Sequence, residues 1–284
     1  MLMKAGRQAL LAGVLLVAAC GGGEDDDAQP GAAPPRTSRS GNEIEVVWRP
    51  SPGTTWQWQL EGDIDSSLDV QAYDIDLFDA AQPVIDRLHD DGRVVICYFS
   101  AGTREEWRED AGRFQPADVG ETLEDWPGER WLNIRSDNVR RIMRDRLTMA
   151  AAKRCDAVEP DNVDVYENDS GFRLTAADQL DYNRFLANEA HTLGLSVGLK
   201  NAVGLVAQLE PEFDWALNEE CLSYEECETL APFLAADKAA FHVEYVDEPS
   251  EGEALLDEVC GGPAIDGFST LIKTRDLDEW RLAC

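Results

Sequence analysis

The stretch Cys155 to Asp164, Cys-Asp-Ala-Val-Glu-Pro-Asp-Asn-Val-Asp, constrains the fold more than any other part of the chain. A short apolar run, Ala157 and Val158, leads to Pro160, and the carboxylates Glu159, Asp161 and Asp164 crowd around that proline. Proline has no N–H to give to a sheet ladder, so a strand is expected to stop there. The acidic residues are then held at a strand's carboxyl end, the edge at which parallel α/β folds carry their chemistry.

Around this stretch, strand-like runs alternate with helix-like segments. Strands are expected to open at Trp56, Val70, Val94, Asp156, Ser196, Trp215, Ala240 and Gly267. The continuous apolar run Val94 to Phe99 has the pattern of a strand buried on both faces. Helices are expected over Phe78 to His89, from a Ser136 cap to Lys153, from Thr175 to Leu193 with Gly194 as carboxyl cap, and over Gly252 to Cys260. Eight strands with helical crossovers point to an α/β fold, a (β/α)8 TIM barrel, as a single domain over residues 54–284. The short run Trp131 to Ile134, inside the loop-like stretch 109–135, is the one segment whose place in that count the pattern leaves open.

The first residues read as a targeting segment. Lys4 and Arg7 precede the apolar stretch Leu10 to Ala18, which is too short to span a bilayer. It ends Val17-Ala18-Ala19-Cys20, the pattern of a lipoprotein signal over residues 1–19 with Cys20 lipidated as the new amino terminus. Residues 20–53, beginning rich in Gly, Pro, Ala, Ser and Asp, are expected to form a flexible tether. The expected location is outside the cytoplasm, on the cell envelope or surface, held to the membrane by the lipid anchor. The formal charge is −31, and a chain beginning at Cys20 would stand at −33. Such a surface repels nucleic acid and attracts cationic ligands. A monomer is the expected state.

Export permits disulfides. Six cysteines follow Cys20: Cys97, Cys155, Cys221, Cys227, Cys260 and Cys284. Six allow 15 pairings, so connectivity stays open; Cys221–Cys227 would clip a loop, Cys260–Cys284 would pin the carboxyl terminus, and Cys97–Cys155 would join regions beside two strands. No metal or cofactor is expected. The chain has no Cys-x-x-Cys, its three histidines (His89, His191, His242) are scattered, and Asp164, Glu167, Asp169 and Gly171 lack EF-hand spacing.

Four of the later strands end in polar groups: Asp161, Lys200-Asn201, Asn218-Glu219 and Glu244-Tyr245. Charge at a strand end costs desolvation unless partners converge on it. Two carboxylates flanking a glycosidic bond are what glycoside hydrolysis requires, one ionised and one protonated. Asp161 and Glu219 are the expected catalytic pair, with Lys200 holding one of them ionised. Trp58, Tyr98, Asn162, Asp164, Lys200, Asn201, Asn218, Glu244 and Tyr245 are the expected sugar-binding residues, with Trp56 a further aromatic candidate.

The runs Cys97-Tyr98-Phe99-Ser100-Ala101-Gly102, Val158-Glu159-Pro160-Asp161-Asn162-Val163-Asp164, Gly198-Leu199-Lys200-Asn201, Asn218-Glu219-Glu220-Cys221 and Val243-Glu244-Tyr245 resemble glycoside hydrolase family 114, over roughly residues 54–284. The resemblance implies a TIM barrel that hydrolyses α-1,4-linked galactosamine in an exopolysaccharide with retention, using Asp161 as nucleophile and Glu219 as acid/base. Its partner would be a cationic galactosamine-type polysaccharide. Glu220 stands where the family usually has glutamine, so two adjacent carboxylates compete for the acid/base role. Strand alternation sends neighbours to opposite sides, and the family motif puts the acid directly after the asparagine; both favour Glu219. A non-catalytic polysaccharide-binding barrel and a glycosidase of other specificity are the competing readings.

Overall fold

The computed structural model describes residues 47–124 and 126–284. The expected signal over 1–19, Cys20 and the tether as far as residue 46 lie outside the described residues. From Trp48 the chain is already engaged, ahead of the boundary expected at residue 54. Arg49 pairs with Asp214 at 3.0 Å, and the Pro50 carbonyl accepts the Ala239 N–H at 2.8 Å.

The strands in chain order are β1 (Trp56–Gln59), β2 (Ala72–Asp76), β3 (Val94–Ser100), β4 (Thr103–Glu105), β5 (Val119–Thr122), β6 (Glu129–Leu132), β7 (Ala157–Asp161), β8 (Ser196–Lys200), β9 (Trp215–Glu219), β10 (Ala240–Val246), β11 (Ser269–Thr274) and β12 (Leu282–Ala283). The helices are α1 (Gln82–Asp90), α2 (Asp137–Lys153), α3 (Ala176–Thr192), α4 (Val206–Leu209), α5 (Ala231–Ala235) and α6 (Gly252–Val259). Eight strands pair in parallel in the order β1-β2-β3-β7-β8-β9-β10-β11, and β12 adds antiparallel to β11. This is a TIM-barrel-like fold, and its eight parallel strands are the eight expected ones with ends shifted by a residue or two. The Trp131 run is not a ninth: β6 belongs to a separate antiparallel sheet of order β4-β6-β5, inserted between β3 and α2.

The longer helices begin at local signals. The Ser136 hydroxyl accepts the N–H groups of Asn138 and Val139 to open α2, and Thr175 with Asp178 forms a reciprocal cap on α3. α1 starts later than the expected Phe78. Asp76 Oδ1 takes the N–H groups of both Phe78 and Asp79 into a turn, and Pro83 sits in the first helical turn, where its missing N–H costs nothing.

Period-two alternation divides the sheet into two faces. Trp56, Trp58, Ala72, Ile96, Ala157, Trp215, Leu217, Phe241, Val243 and Leu271 fill the inside. Tyr73, Ile75, Val95, Cys97, Phe99, Val158, Val197 and Leu199 pack outward against Ile85, Ile142, Leu147, Leu186 and the rest of the helical layer. The seam between β1 and β11 is laced by individual hydrogen bonds. The Trp56 indole donates to the Ser269 carbonyl at 2.9 Å, Gln57 to the Glu279 carbonyl at 3.0 Å, and the Leu60 N–H to the Leu277 carbonyl at 2.9 Å; the Arg281 guanidinium donates to the Trp56 carbonyl.

Three disulfides form: Cys97–Cys155 ties β3 to the entry of β7, Cys221–Cys227 clips the loop after β9, and Cys260–Cys284 ties the end of α6 to the last residue.

Candidate active site

Pro160 does not end β7 as expected; the strand runs on to Asp161. What the proline ends is the ladder on one side. β7 pairs with β8 only at Ala157–Ser196 and Val158–Val197, while its pairing with β3 continues through Phe99–Pro160 and Ser100–Asp161. Beyond Val158 the two strands are free to spread, and the inward side chains Glu159, Asp161 and Lys200 occupy that opening. Gly102 closes the other side. A Cβ at this position would stand 1.7 Å from the Asn162 carbonyl oxygen, so only glycine lets the turn after β3 pass beneath the end of β7.

A cavity of about 560 Å³ opens at the carboxyl ends of the strands. Lys200, 2% exposed, is its hub. Its Nζ lies 2.9 Å from Glu159 Oε1, 3.1 Å from Asp161 Oδ1 and 3.2 Å from Glu219 Oε2, and 4.8 Å above the Trp58 ring. Since one nitrogen touches both, Asp161 Oδ1 and Glu219 Oε2 cannot be more than about 6.3 Å apart. Each carboxylate has further donors. Tyr98 Oη donates to Asp161 Oδ2 at 3.1 Å and the Asn162 N–H to Oδ1 at 2.7 Å. Tyr245 Oη donates to Glu219 Oε1 at 2.5 Å and Asn201 Nδ2 to Oε2 at 3.1 Å.

Burial acts against the Lys200 ammonium, but the charges of Asp161, Glu159 and Glu219 outweigh it and hold its pKa well above the usual lysine range. Burial also acts to raise Glu219. Lys200, Tyr245 and Asn201 together overcome it and hold that carboxyl below its ordinary value. Glu159 is fully buried. Burial pushes it up to about 7 despite Lys200, and its other oxygen accepts the Trp58 indole N–H at 3.1 Å. Asp74, also fully buried, is held well above the carboxylate range by burial and then by the charge of Glu159. Neither oxygen of Asp74 has a donor among the described residues, so burial and the neighbouring Glu159 charge favour its neutral acid form.

The cavity brings together Trp58, Tyr98, Asp161, Asn162, Asp164, Lys200, Asn201, Glu219 and Tyr245. Two expected sugar-binding residues are elsewhere. Asn218 is fully buried on the outward face of β9 and donates to Glu226 at 3.1 Å; Glu244 faces outward from β10 and is occupied by His242, the Leu222 N–H and the Ser223 hydroxyl. Both alternate with an inward neighbour, Glu219 or Tyr245, and parity sends them away from the cavity. The aromatic reading shifts too. Trp56 is core, and Trp58, 1% exposed, lies under Lys200 as floor rather than as an open stacking platform. Glu220, at φ 60°, also lines the cavity but pairs with Arg275 at 3.0 Å, which leaves Glu219 as the one of the two beside Lys200.

The expected set did not include the wall supplied by the inserted sheet: Glu105, Trp107, Trp126, Glu129 and Trp131. Three tryptophans among acidic residues in a stretch without strand or helix period were the available signal.

A model of glycoside-hydrolase family GH114 matches residues 37–284. Among solved structures, a crystal structure of Aspergillus fumigatus Ega3 in complex with galactosamine is similar with a TM-score of 0.80 and 44% identity, over 86% of this chain and 100% of that one. The glycoside hydrolase domain of PelA from Pseudomonas aeruginosa is similar with a TM-score of 0.62 and 11% identity, over 81% of this chain and 97% of that one, a likeness of fold. Comparison with curated protein sequences finds no match.

Proposed function

Since the chain belongs to glycoside-hydrolase family GH114, we propose that it is an endo-acting hydrolase of α-1,4-linked galactosamine polysaccharide, working by double displacement with retention at the anomeric carbon. The observation that carries this reading is the shared contact of Asp161 and Glu219 with one buried ammonium inside one cavity. The upper bound of about 6.3 Å between those facing oxygens supports the two carboxylates flanking one glycosidic bond, and retention follows the family resemblance of the strand-end motifs. The galactosamine bound by Ega3 at 44% identity supports the sugar.

In the mechanism, Asp161 attacks the anomeric carbon. Lys200, Tyr98 and the Asn162 N–H hold its oxygens in place and stabilise its charge until the new bond forms. Glu219 gives its proton to the leaving oxygen, then takes one from the water that releases the glycosyl-enzyme. Lys200, Tyr245 and Asn201 hold Glu219 ionised, so it must gain a proton as substrate arrives. Covering the carboxyl with a sugar removes water and moves its pKa in that direction. Esterification of Asp161 then removes a negative charge beside Glu219 and favours its base form for the second step. Glu159 takes no part in bond making; it anchors the ammonium.

The lipid anchor and export belong to the same proposal. Lys4, Arg7 and the run to Cys20 support it, as do three disulfides, which persist in oxidising compartments. Incubation with polygalactosamine, read by new reducing ends and by NMR of the first-formed anomer, tests the reaction. Binding without new ends would leave a non-catalytic barrel, and a first-formed anomer of opposite configuration would replace retention by inversion. Mass analysis of the mature amino terminus tests lipidation at Cys20.

A further inference from the structure

The cavity has a second acidic wall that the two-carboxylate chemistry leaves unused. Glu129 opens β6, lines the cavity and is only 7% exposed. One of its oxygens accepts the Thr103 hydroxyl at 2.6 Å. Among the described residues it has no cationic partner, while its neighbour Glu105 is held by both Arg108 and Arg146. Burial, against the pull of Thr103, lifts the Glu129 carboxyl to about 7. A nearly buried carboxyl that lines a cavity without a cationic partner among the described residues is costly to keep, and an entering cation would both pair with it and ionise it.

The same wall carries two open indoles, Trp107 at 54% and Trp126 at 51% exposure. Gly128 braces them. Its φ of +100° suits glycine, and a Cβ there would stand 2.9 Å from the Trp107 ring, so the turn bearing Trp126 lies close against Trp107. Exposed indole faces beside a carboxyl match a ring with one apolar face and one ammonium group. We propose that Glu129, Trp107 and Trp126 form a subsite for the free amino group of a hexosamine unit, and that Glu129 selects this unit over its N-acetylated form, which carries no charge to pair with it.

The assignment rests on the polysaccharide reading above and adds a residue-level source of selectivity. The subsite is also connected to the reacting centre. Asn162 Nδ2 donates to Ser100 Oγ at 3.0 Å, Ser100 Oγ and Thr103 Oγ1 are 2.6 Å apart, and Thr103 donates to Glu129. The Asn162 N–H in turn bonds Asp161. When a cation ionises Glu129, every hydroxyl in the relay is held donating toward it.

The test is titration of the intact protein with galactosamine and with N-acetylgalactosamine, beside steady-state hydrolysis of polygalactosamine, for wild type, Glu129→Gln and Trp126→Ala. Loss of one charge-assisted contact predicts that Glu129→Gln weakens galactosamine binding and raises KM about tenfold, with kcat within about twofold and N-acetylgalactosamine affinity unchanged. Trp126→Ala, at an exposed position that tolerates truncation, should weaken both sugars. Unchanged galactosamine affinity in Glu129→Gln, equal losses for the two sugars, or unaltered binding in Trp126→Ala would each overturn the assignment. If wild type leaves polygalactosamine uncut, the enzymatic reading fails, while the two titrations still decide the amine subsite.

Discussion

The two walls of the cavity are built differently. The wall from β7, β8, β9 and β10 consists of strand-end side chains whose charges converge on one ammonium, with every oxygen of Asp161 and Glu219 partnered. The wall from β4 and β6 is an antiparallel insertion with open indoles and a carboxyl, Glu129, that has no cationic partner among the described residues. On the proposed mechanism the first wall is preorganised to stabilise charge that develops during reaction. The second is unfinished until something binds. On the proposed reading, chemistry and recognition are divided between the strand ends of the barrel and a local addition to it.

The sharpest break in this comparison would come from the first wall. Asp161→Asn should abolish turnover with little change in the thermal midpoint. Glu219→Gln should lower kcat by about 10²–10⁴-fold, as expected for a lost general acid. Turnover retained in Asp161→Asn would remove the barrel wall from the chemistry. Lys200→Met should cost activity and about 3 kcal/mol of stability together, because it leaves buried carboxylates facing one another; chemical denaturation beside kinetics checks the pairing of the two losses.

Both walls should show themselves in pH dependence, the second through Glu129 and the first through Glu159 and Asp164. Glu129 and Glu159 are raised to about 7 and Asp164 to about 6, from ordinary values of 4.5 and 3.8, in each case chiefly by burial. These groups bind protons more tightly folded than unfolded. Their contribution to stability is therefore complete below about pH 4 and fades as pH rises through about 6 to 7. Thermal midpoints across that window should fall from this cause, and Glu129→Gln should flatten the slope; an unchanged slope would deny the carboxyl its buried, uncompensated state. The smallest effect belongs to neither wall. Asn218→Ala should leave kcat/KM within about twofold, since the side chain points away from the cavity, and lower stability by about 1 kcal/mol through the lost bond to Glu226.

The difference between the walls is also a difference in legibility. All eight parallel strands could be read because each is a short apolar run or a large/polar alternation, as in Trp56–Gln59 and Ala72–Asp76, and Asp161, Lys200 and Glu219 stood at the ends of three of them. The same period-two rule that separates Glu219 from Glu220 also removes Asn218 and Glu244, if it is counted from Trp215 and Phe241, whose rings fix the inward face. Pro160 was read for the ladder it cannot join, but a parallel strand has two neighbours, and the pairing with β3 survives. Glu105 and Glu129 were out of reach for another reason. The strands β4, β5 and β6 are three or four residues long, and their antiparallel pairing is shifted between Val119 and Thr122, so no periodic pattern marks which side chains face the cavity. The buried Asp74–Glu159 pair is legible only in three dimensions, since it joins strands 85 positions apart.

The laced seam has a consequence for how such a chain is made. Trp56 is synthesised long before the Arg281 that donates to its carbonyl, 225 positions later, and contacts this distant in sequence form slowly. The first strand must therefore wait, with two large rings and one free edge unprotected, until the tail arrives. During that interval the nascent chain is vulnerable to mispairing, and oxidation of Cys260 with Cys284 works as a latch that keeps the tail from slipping out once it has docked.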